Sequence, residues 1–426
     1  MSYTSVKGMD DVLPPHSCLW AHVQKKARHL FEAFGFSEII TPVLERTELF
    51  IRGVGQTTDI VEKQMYTFLD KNGDSLALRP EGTASVVRAY IEHQLYHPDP
   101  YQKFYYWGPM YRYERMQKGR YRQFYQFGVE VFGASSPRVD AETIFMLTQL
   151  YHTLGIKSFE VQINSLGCKD CRPTYREKLL TFLQSKKSSL CEECQRRLEK
   201  NPLRILDCKN EGCQKVAKEA PRLTDHLCAT CNSHFEDVKV ALNQLNVVFQ
   251  VNPNIVRGLD YYVRTAFEIV SSDLGAQNAL GGGGRYDGLV ANLGGPDVPA
   301  FGFACGIERL MIALENQEAL PATLDLFIAA LGAKAQAFSY GLVNKLRLQG
   351  VRAEVDYEDR PLKTQMKKAD RMSSRFVLII GDDEMDKGEA VLRNMTTKEQ
   401  KNISFGEILR TFGAQDDKPA QDDKSS

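Results

Sequence analysis

Residues 104–132 read FYYWGPMYRYERMQKGRYRQFYQFGVEVF, and this stretch decides the fold. Two aromatic-rich runs of alternating character flank a short basic segment, Arg115 to Arg122, that contains Gly119. Alternation at period two marks strands, and a loop this polar is unsuited to burial, so the stretch predicts an antiparallel hairpin. Side chains alternate across a strand. Arg112 and Glu114 therefore share one face of the first strand, and Gln126 and Glu130 one face of the second. Tyr125, Phe127, Val129 and Val131 form the opposite, apolar face. An amphipathic sheet with one solvated face would show a similar pattern. The order of charges argues for more. Arg112 can grip a phosphate bidentately, and the loop adds Arg115, Lys118, Arg120 and Arg122 against no further acid. A cationic loop beside a carboxylate-lined strand suits a site that holds a triphosphate and an ammonium-bearing small molecule together.

At 426 residues the chain has room for two or three domains. Basic and acidic residues balance at 54 each, so no global field marks a nucleic-acid binder, and any RNA contact must come from local patches. The N-terminus lacks a charged-then-apolar signal pattern, and no run approaches the ~20 apolar residues of a membrane span. The expectation is a cytoplasmic protein with no membrane partner.

Outside the hairpin, Trp20 to Phe34 has amphipathic helical spacing and stops at Gly35, and Phe36 to Leu44 reads as a strand with Pro42 at an edge or bulge. Leu76-Ala-Leu-Arg-Pro-Glu-Gly-Thr83 ends a strand at Arg79-Pro80 and opens a helix, Ala84 to Gln94, at Thr83. Glu81 and Thr83 then sit in a strand-to-helix turn, where helix capping and a pocket-facing role are both open. Val139 to Tyr151 reads as a helix and Phe159 to Asn164 as a strand. Composition then shifts: Cys168 to Asn246 is charged and cysteine-rich, with helical runs at Tyr175–Gln184 and Arg222–Leu245. Further on, a strand is expected from about Leu259. The glycine run Ala279 to Gly288 reads as a flexible loop or a phosphate nest, and it does not match the P-loop, since no Gly-Lys-Ser/Thr follows.

Eight of the ten cysteines fall in that insertion: Cys168-x-x-Cys171, Cys191-x-x-Cys194, Cys208-x4-Cys213 and Cys228-x-x-Cys231. Eight thiols in short-spaced pairs suit two tetrahedral four-sulfur zinc sites, since two thiolates on one tight turn can face one ion. Disulfides need an oxidising compartment that nothing here supports, and inert thiols are the remaining alternative. Spacing leaves the sharing of ions open; pairing consecutive knuckles is the simplest choice. A folding rather than a catalytic role is expected for them. Cys18 and Cys305 stand apart and read as plain buried residues.

Arg112-Tyr113-Glu114 resembles the Arg-x-Glu of motif 2 in class II aminoacyl-tRNA synthetases, and the helix–Gly35–strand–Pro42 run resembles their motif 1, which builds a dimer interface. Phe301-Gly-Phe-Ala-Cys-Gly-Ile-Glu-Arg-Leu310 resembles motif 3. Arg79-Pro-Glu-Gly-Thr83, Arg257-Gly-Leu-Asp-Tyr-Tyr262 and Gly282-Gly-Gly-Arg-Tyr-Asp287 are similar to stretches of histidyl-tRNA synthetases in particular. The resemblance covers all but the tail. It implies an α+β fold: a class II catalytic domain on an antiparallel sheet (1–320), interrupted by the helical Cys-rich insertion (168–246), then an α/β anticodon-binding domain (321–413) and a disordered tail (414–426). It also implies histidine, ATP and tRNA as partners, magnesium with the phosphates, a homodimer, and attachment of histidine through a histidyl-adenylate.

By that resemblance Arg112, Glu114, Arg120 and Arg309 meet ATP. Glu81, Gly82, Thr83 and Gln126 lie around the substrate α-ammonium, and Glu130, Tyr261 and Tyr262 around the imidazole. Arg257 lies against the α-phosphate and the substrate carboxylate, and Gln117 and Arg122 meet the tRNA acceptor end. A basic stripe on the helical run Leu362–Ser373 (Lys363, Lys367, Lys368, Arg371) suits the anticodon domain, although a solvated face carries such charges too. Two other classes share these features: a catalytically silent, histidine-sensing regulatory paralogue, and a module that senses uncharged tRNA. The first lacks an anticodon domain and loses motif residues, whereas this chain keeps Arg112, Arg257, Arg309 and a C-terminal domain.

Overall fold

A computed structural model describes residues 3–56, 58–117, 119–256, 259–271, 279–315 and 324–412. Lys118, Arg257 and the tail 414–426 lie outside them. The chain forms two compact units: one runs to Ala319, and one runs from Leu320 and takes in Pro14–Cys18.

The first unit is built on an eight-stranded sheet whose centre is antiparallel. The expected hairpin is there: Gln102–Tyr111 pairs with Gln123–Phe132 over its whole length. Its first strand ends before Arg112, so Arg112 and Glu114 leave the sheet and turn into the cavity beside it, with Arg112 N still bonded to Arg122 O at 2.9 Å. Beyond the hairpin come Ala300–Gly306, Ala279–Arg285, Val263–Val270, Glu160–Ser165 and Phe249–Val251. The glycine run is thus a central strand and not a loop. Its neighbours supply the ladder on both sides, which overrides the weak strand preference of glycine.

Three further expectations need correction. The strand read from Phe36 to Leu44 breaks in two: Ser37–Glu38 joins the large sheet beside Phe104, while Leu44–Arg46, past Pro42, joins a separate three-stranded sheet. The strand expected from Leu259 begins at Val263. The helical run Arg222–Leu245 is a 3-10 turn, Leu223–His226, then a helix, Ala229–Gln244, capped at Cys228.

The insertion leaves the sheet after Glu160–Ser165 and returns through Phe249–Val251. Besides Arg172–Ser185 and Ala229–Gln244 it contains helices Glu192–Lys200 and Glu211–Glu219. Leu179, Leu183 and Ile205 of the insertion share one apolar cluster with Phe132 of the large sheet and with Val86 and Tyr90 of the helix Thr83–Glu92. One buried ionic chain fastens the joint. Arg285 on the glycine strand bonds Asp140 on the helix Pro137–Thr153, and His234 Nε2 on the last insertion helix meets Asp140 Oδ2 at 3.0 Å. Against the pull of burial, Arg285 and His234 hold the Asp140 carboxyl below its ordinary range.

In the second unit Ala353–Val355, Leu324–Ala330 and Ser374–Ile380 run parallel, and Glu389–Asn394 and Gln400–Ser404 add antiparallel strands. On its helix Leu362–Arg371, Lys363, Lys367 and Arg371 are exposed at a four-residue spacing. Lys368 leaves that stripe: it turns to Asp356, 3.5 Å away, over the Phe327 ring.

Candidate active site

A cavity of about 410 Å³ opens over the antiparallel sheet. Glu81, Thr83, Arg112, Glu114, Arg120, Gln126, Tyr261, Tyr262 and Arg309 all line it, so nine separately read positions converge on one space. Of the other expected residues, Glu130 lies just under the floor, 1 % exposed, and Gly82 packs beneath. Gln117 and Arg122 stand outside the cavity on the hairpin loop, with the Arg122 guanidinium 3.9 Å above the Tyr113 ring.

One end of the cavity is positive. Arg112 and Arg309 reach in from the end of the hairpin strand and from the helix Ile307–Glu315, anchored by Arg112 Nε on Pro80 O (2.8 Å) and Arg309 Nη1 on Ala279 O (3.1 Å). Glu114 lies 3.3 Å from Arg120 and 3.8 Å from Arg112. Glu114 is not alone against the three guanidiniums, since Glu268 also attracts Arg309 and Glu81 also attracts Arg112. Burial lowers the Arg112 and Arg309 pKa values, and Arg120 adds to that while Glu114 opposes it. An anion entering here would relieve the repulsion.

The other end is acidic and amide-lined. Glu81 accepts from Thr83 N (2.7 Å) and Ala84 N (2.9 Å), so it caps the helix Thr83–Glu92 and faces the cavity at once. Burial raises its pKa, which those two amides oppose. Gln126 Oε1 is buried and has no hydrogen-bond partner among the described residues. A buried acceptor left unsatisfied is costly, and a donor on a ligand would answer it. Gly82 has a packing reason: a Cβ there would meet Tyr106 Cε2 at 2.3 Å.

Beneath, Glu130 accepts from Thr83 Oγ1 (2.7 Å) and from Tyr286 Oη (2.5 Å). Burial pushes its carboxyl up to about 8. The facing residue on the neighbouring strand is Gly302, where a Cβ would lie 2.0 Å from Glu130 Oε2, so only glycine leaves that carboxylate its place. Tyr261, Tyr262 and Tyr286 form an aromatic group, with Tyr261 4.7 Å from Tyr262 and 5.7 Å from Tyr286 between centroids.

Three relationships were not read from sequence. Tyr286 sits inside the quoted Gly-Gly-Gly-Arg-Tyr-Asp run, yet reading that run as a loop hid it. Glu308, whose Oε1 accepts from Tyr125 N at 2.8 Å and whose carboxyl burial pushes up to about 7, lies in the motif 3 stretch beside Arg309. Arg204 and Asp207 of the insertion also line the cavity, and no pattern around them signals it.

The family described as Histidyl-tRNA synthetase matches residues 8–310, and the one described as Anticodon binding domain matches residues 325–415. The chain belongs to the histidyl-tRNA synthetase family. Among curated relatives, the histidine--tRNA ligase of Desulfosudis oleivorans is 52 % identical over 95 % of this chain and 96 % of its own length. That of Geobacter metallireducens is 51 % identical over 94 % and 97 %. The solved S. aureus histidyl-tRNA synthetase superposes with a TM-score of 0.76 at 38 % identity, covering 97 % of this chain and all of its own. As a member of this class II family the chain catalyses ATP-dependent formation of histidyl-adenylate and charges tRNA with histidine. Among the described residues no helix is long and apolar enough to cross a membrane.

The cysteines gather in two groups of four, each with its sulfurs within 4.8 Å of one another: Cys168, Cys171, Cys228 and Cys231, and Cys191, Cys194, Cys208 and Cys213. The pairing is nested, with the first and last knuckles together and the middle two together, in place of the consecutive pairing that looked simplest. Chain proximity misled, because helices Arg172–Ser185 and Ala229–Gln244 bring the ends of the insertion back side by side. Sulfur separations of 3.7, 3.9 and 4.0 Å are far too long for disulfides. They match the edge of about 3.8 Å that a tetrahedron of ~2.3 Å zinc–sulfur bonds requires. Backbone amides support the sulfurs, Cys228 N on Cys171 (3.1 Å) and Cys191 N on Cys213 (3.2 Å). The donor set fits zinc at both places.

Proposed function

We propose that the cavity binds ATP and histidine head to tail. Arg112, Arg120 and Arg309 take the phosphates, and Glu114 is the carboxylate available to a magnesium ion carried with them. Glu81, Thr83 and Gln126 surround the α-ammonium. Glu130, held by Tyr286 and with Tyr261 and Tyr262 alongside, takes the imidazole. Arg257, whose position rests on sequence, supplies a fixed positive charge between the substrate carboxylate and the α-phosphate. The carboxylate attacks that phosphorus in line and pyrophosphate leaves. No general base is needed, so the residues act by positioning and charge. A site that satisfies both ring nitrogens would reject other side chains by leaving its own polar groups unpaired.

The observation that carries this reading is the buried Gln126 Oε1, which has no hydrogen-bond partner among the described residues and lines the same cavity as Glu81. Gln126→Leu tests it. The histidine KM in ATP–pyrophosphate exchange should rise, while inhibition by 3-(imidazol-4-yl)propionate, which lacks the ammonium, stays unchanged. Equal loss of both would overturn the assignment.

The remaining roles follow the same reading. Gln117 and Arg122 would meet the acceptor end of tRNA, and the stripe Lys363, Lys367 and Arg371 the anticodon arm. Both tetrathiolate groups would hold structural zinc. A cytoplasmic homodimer is the reading that the family resemblance carries, with the motif 1 stretch as its interface, and Ile40 in that stretch is 85 % exposed.

A further inference from the structure

The two cysteine groups sit in different mechanical positions. The outer one, Cys168, Cys171, Cys228 and Cys231, clasps the base of the insertion where the helices Arg172–Ser185 and Ala229–Gln244 begin. The inner one lies farther along the chain. Two of its members, Cys194 and Cys208, bracket a short segment made of most of helix Glu192–Lys200 and the turn Pro202–Ile205.

That segment meets the rest of the first unit through charge at a place separate from the His234–Asp140 contact. Arg197 Nη2 donates to Asp59 Oδ2 at 3.2 Å, and Arg204 Nη2 lies 3.6 Å from the same oxygen. Asn201 Nδ2 donates to Asp260 Oδ1 at 3.2 Å. Arg204 and Asp207 then form part of the cavity wall, and Asp207 directly precedes the sulfur ligand Cys208. Arg204 also borders a side recess together with Leu259, Asp260 and Tyr262, which places it at the imidazole end. A nine-residue, strongly charged helix followed by a 3-10 turn has little capacity to hold itself in place. A cross-link across its ends does.

We propose that zinc in the inner tetrathiolate group sets the position of Arg204 and Asp207 on the cavity wall, and through them the affinity for histidine. Arg204 is a positioning residue that acts through Asp59. The proposal rests on the zinc reading given above and adds to it a link from an insertion metal to substrate affinity. The outer group clasps the base of the insertion and has a link of its own, since Arg172, next to Cys171, donates to the backbone carbonyl of Tyr262.

The test uses the full chain, with native mass spectrometry for metal content and pyrophosphate exchange for both substrates. Wild-type protein prepared under reducing conditions should carry two zinc ions. Cys208→Ser/Cys213→Ser should carry one, show faster amide exchange over residues 194–208, and raise the histidine KM about tenfold with kcat within about twofold. Arg204→Gln should keep both ions and raise the histidine KM alike, with the ATP KM unmoved. This second variant keeps the test decisive if the cysteine variant fails to fold. Wild type without zinc removes the metal reading and the proposal with it. Two ions in wild type, but an unchanged histidine KM in Arg204→Gln, leaves the zinc sites standing and overturns the positioning role alone. A rise in both KM values with a collapse of kcat reduces the inner group to general structure.

Discussion

Tyr286 Oη donates to Glu130 Oε2 at 2.5 Å, across two strands of the central sheet and out of reach of solvent. Tyr286 follows Arg285, which is tied through Asp140 to His234 on the last insertion helix. The Glu130 carboxyl, which we propose takes the imidazole, is therefore oriented by a hydroxyl that the Arg285–Asp140–His234 chain holds still. Removing that hydroxyl leaves the packing and loses the orientation. Tyr286→Phe should raise the histidine KM about 10- to 100-fold, the worth of one hydrogen bond to a charged group, and should lower the melting temperature by about a few degrees, because Glu130 Oε2 loses a buried donor. Exchange kinetics over a histidine series measure it.

Glu130 gives a pH signature. Its carboxyl is pushed up to about 8 in the folded chain, above the ordinary carboxylate range, because burial penalises its charge. A raised folded pKa means that the folded state binds the extra proton. The stability this contributes is full below the unfolded pKa near 4.5 and is lost as pH rises through about 8. The melting temperature without histidine should fall over that window, and Glu130→Gln should flatten the fall. Calorimetric scans of both proteins from pH 5 to pH 9 check the difference.

The end of the cavity proposed for the phosphates gathers Arg112, Arg120 and Arg309. Arg112→Ala should lower exchange about 10²- to 10³-fold, and Arg112→Lys should restore little, since a point charge replaces a planar fork. Arg257→Ala should abolish adenylate formation with the fold intact. Persistence of near wild-type exchange in Arg257→Ala would remove that residue from the chemistry.

Gly302 leaves room for Glu130. A methyl group at this position would meet Glu130 Oε2 at 2.0 Å and Val129 O at 2.4 Å, and the second of these is backbone that has little freedom to move. Gly302→Ala should destabilise the chain by about 1–3 kcal/mol and weaken histidine binding as well. Denaturant titration with and without histidine separates the two effects.

The hairpin was legible because period-two alternation over ten-residue strands has no helical counterpart, and it brought Gln126 and Glu130 to one face correctly. The glycine strand Ala279–Arg285 was not legible, since its strand character comes from the neighbours that pair with it. With that strand misread, Tyr286 at its end went unnoticed. Cysteine spacing announced eight ligands but not their grouping, which depends on how the insertion helices fold back. Arg204 and Asp207 carry no periodic mark at all. They reach the cavity only because the segment between Cys194 and Cys208 docks on Asp59 and Asp260. Positions fixed by local alternation were readable, and positions fixed by long-range packing were not.

The most direct measurement is a crystal structure with histidine and a non-hydrolysable ATP analogue bound. The expected result puts an imidazole nitrogen within about 3.2 Å of Glu130, the ammonium on Glu81 and Gln126 Oε1, and the phosphates between Arg112 and Arg309. An imidazole lodged away from Glu130, or a triphosphate outside the Arg112–Arg309 pair, would contradict it.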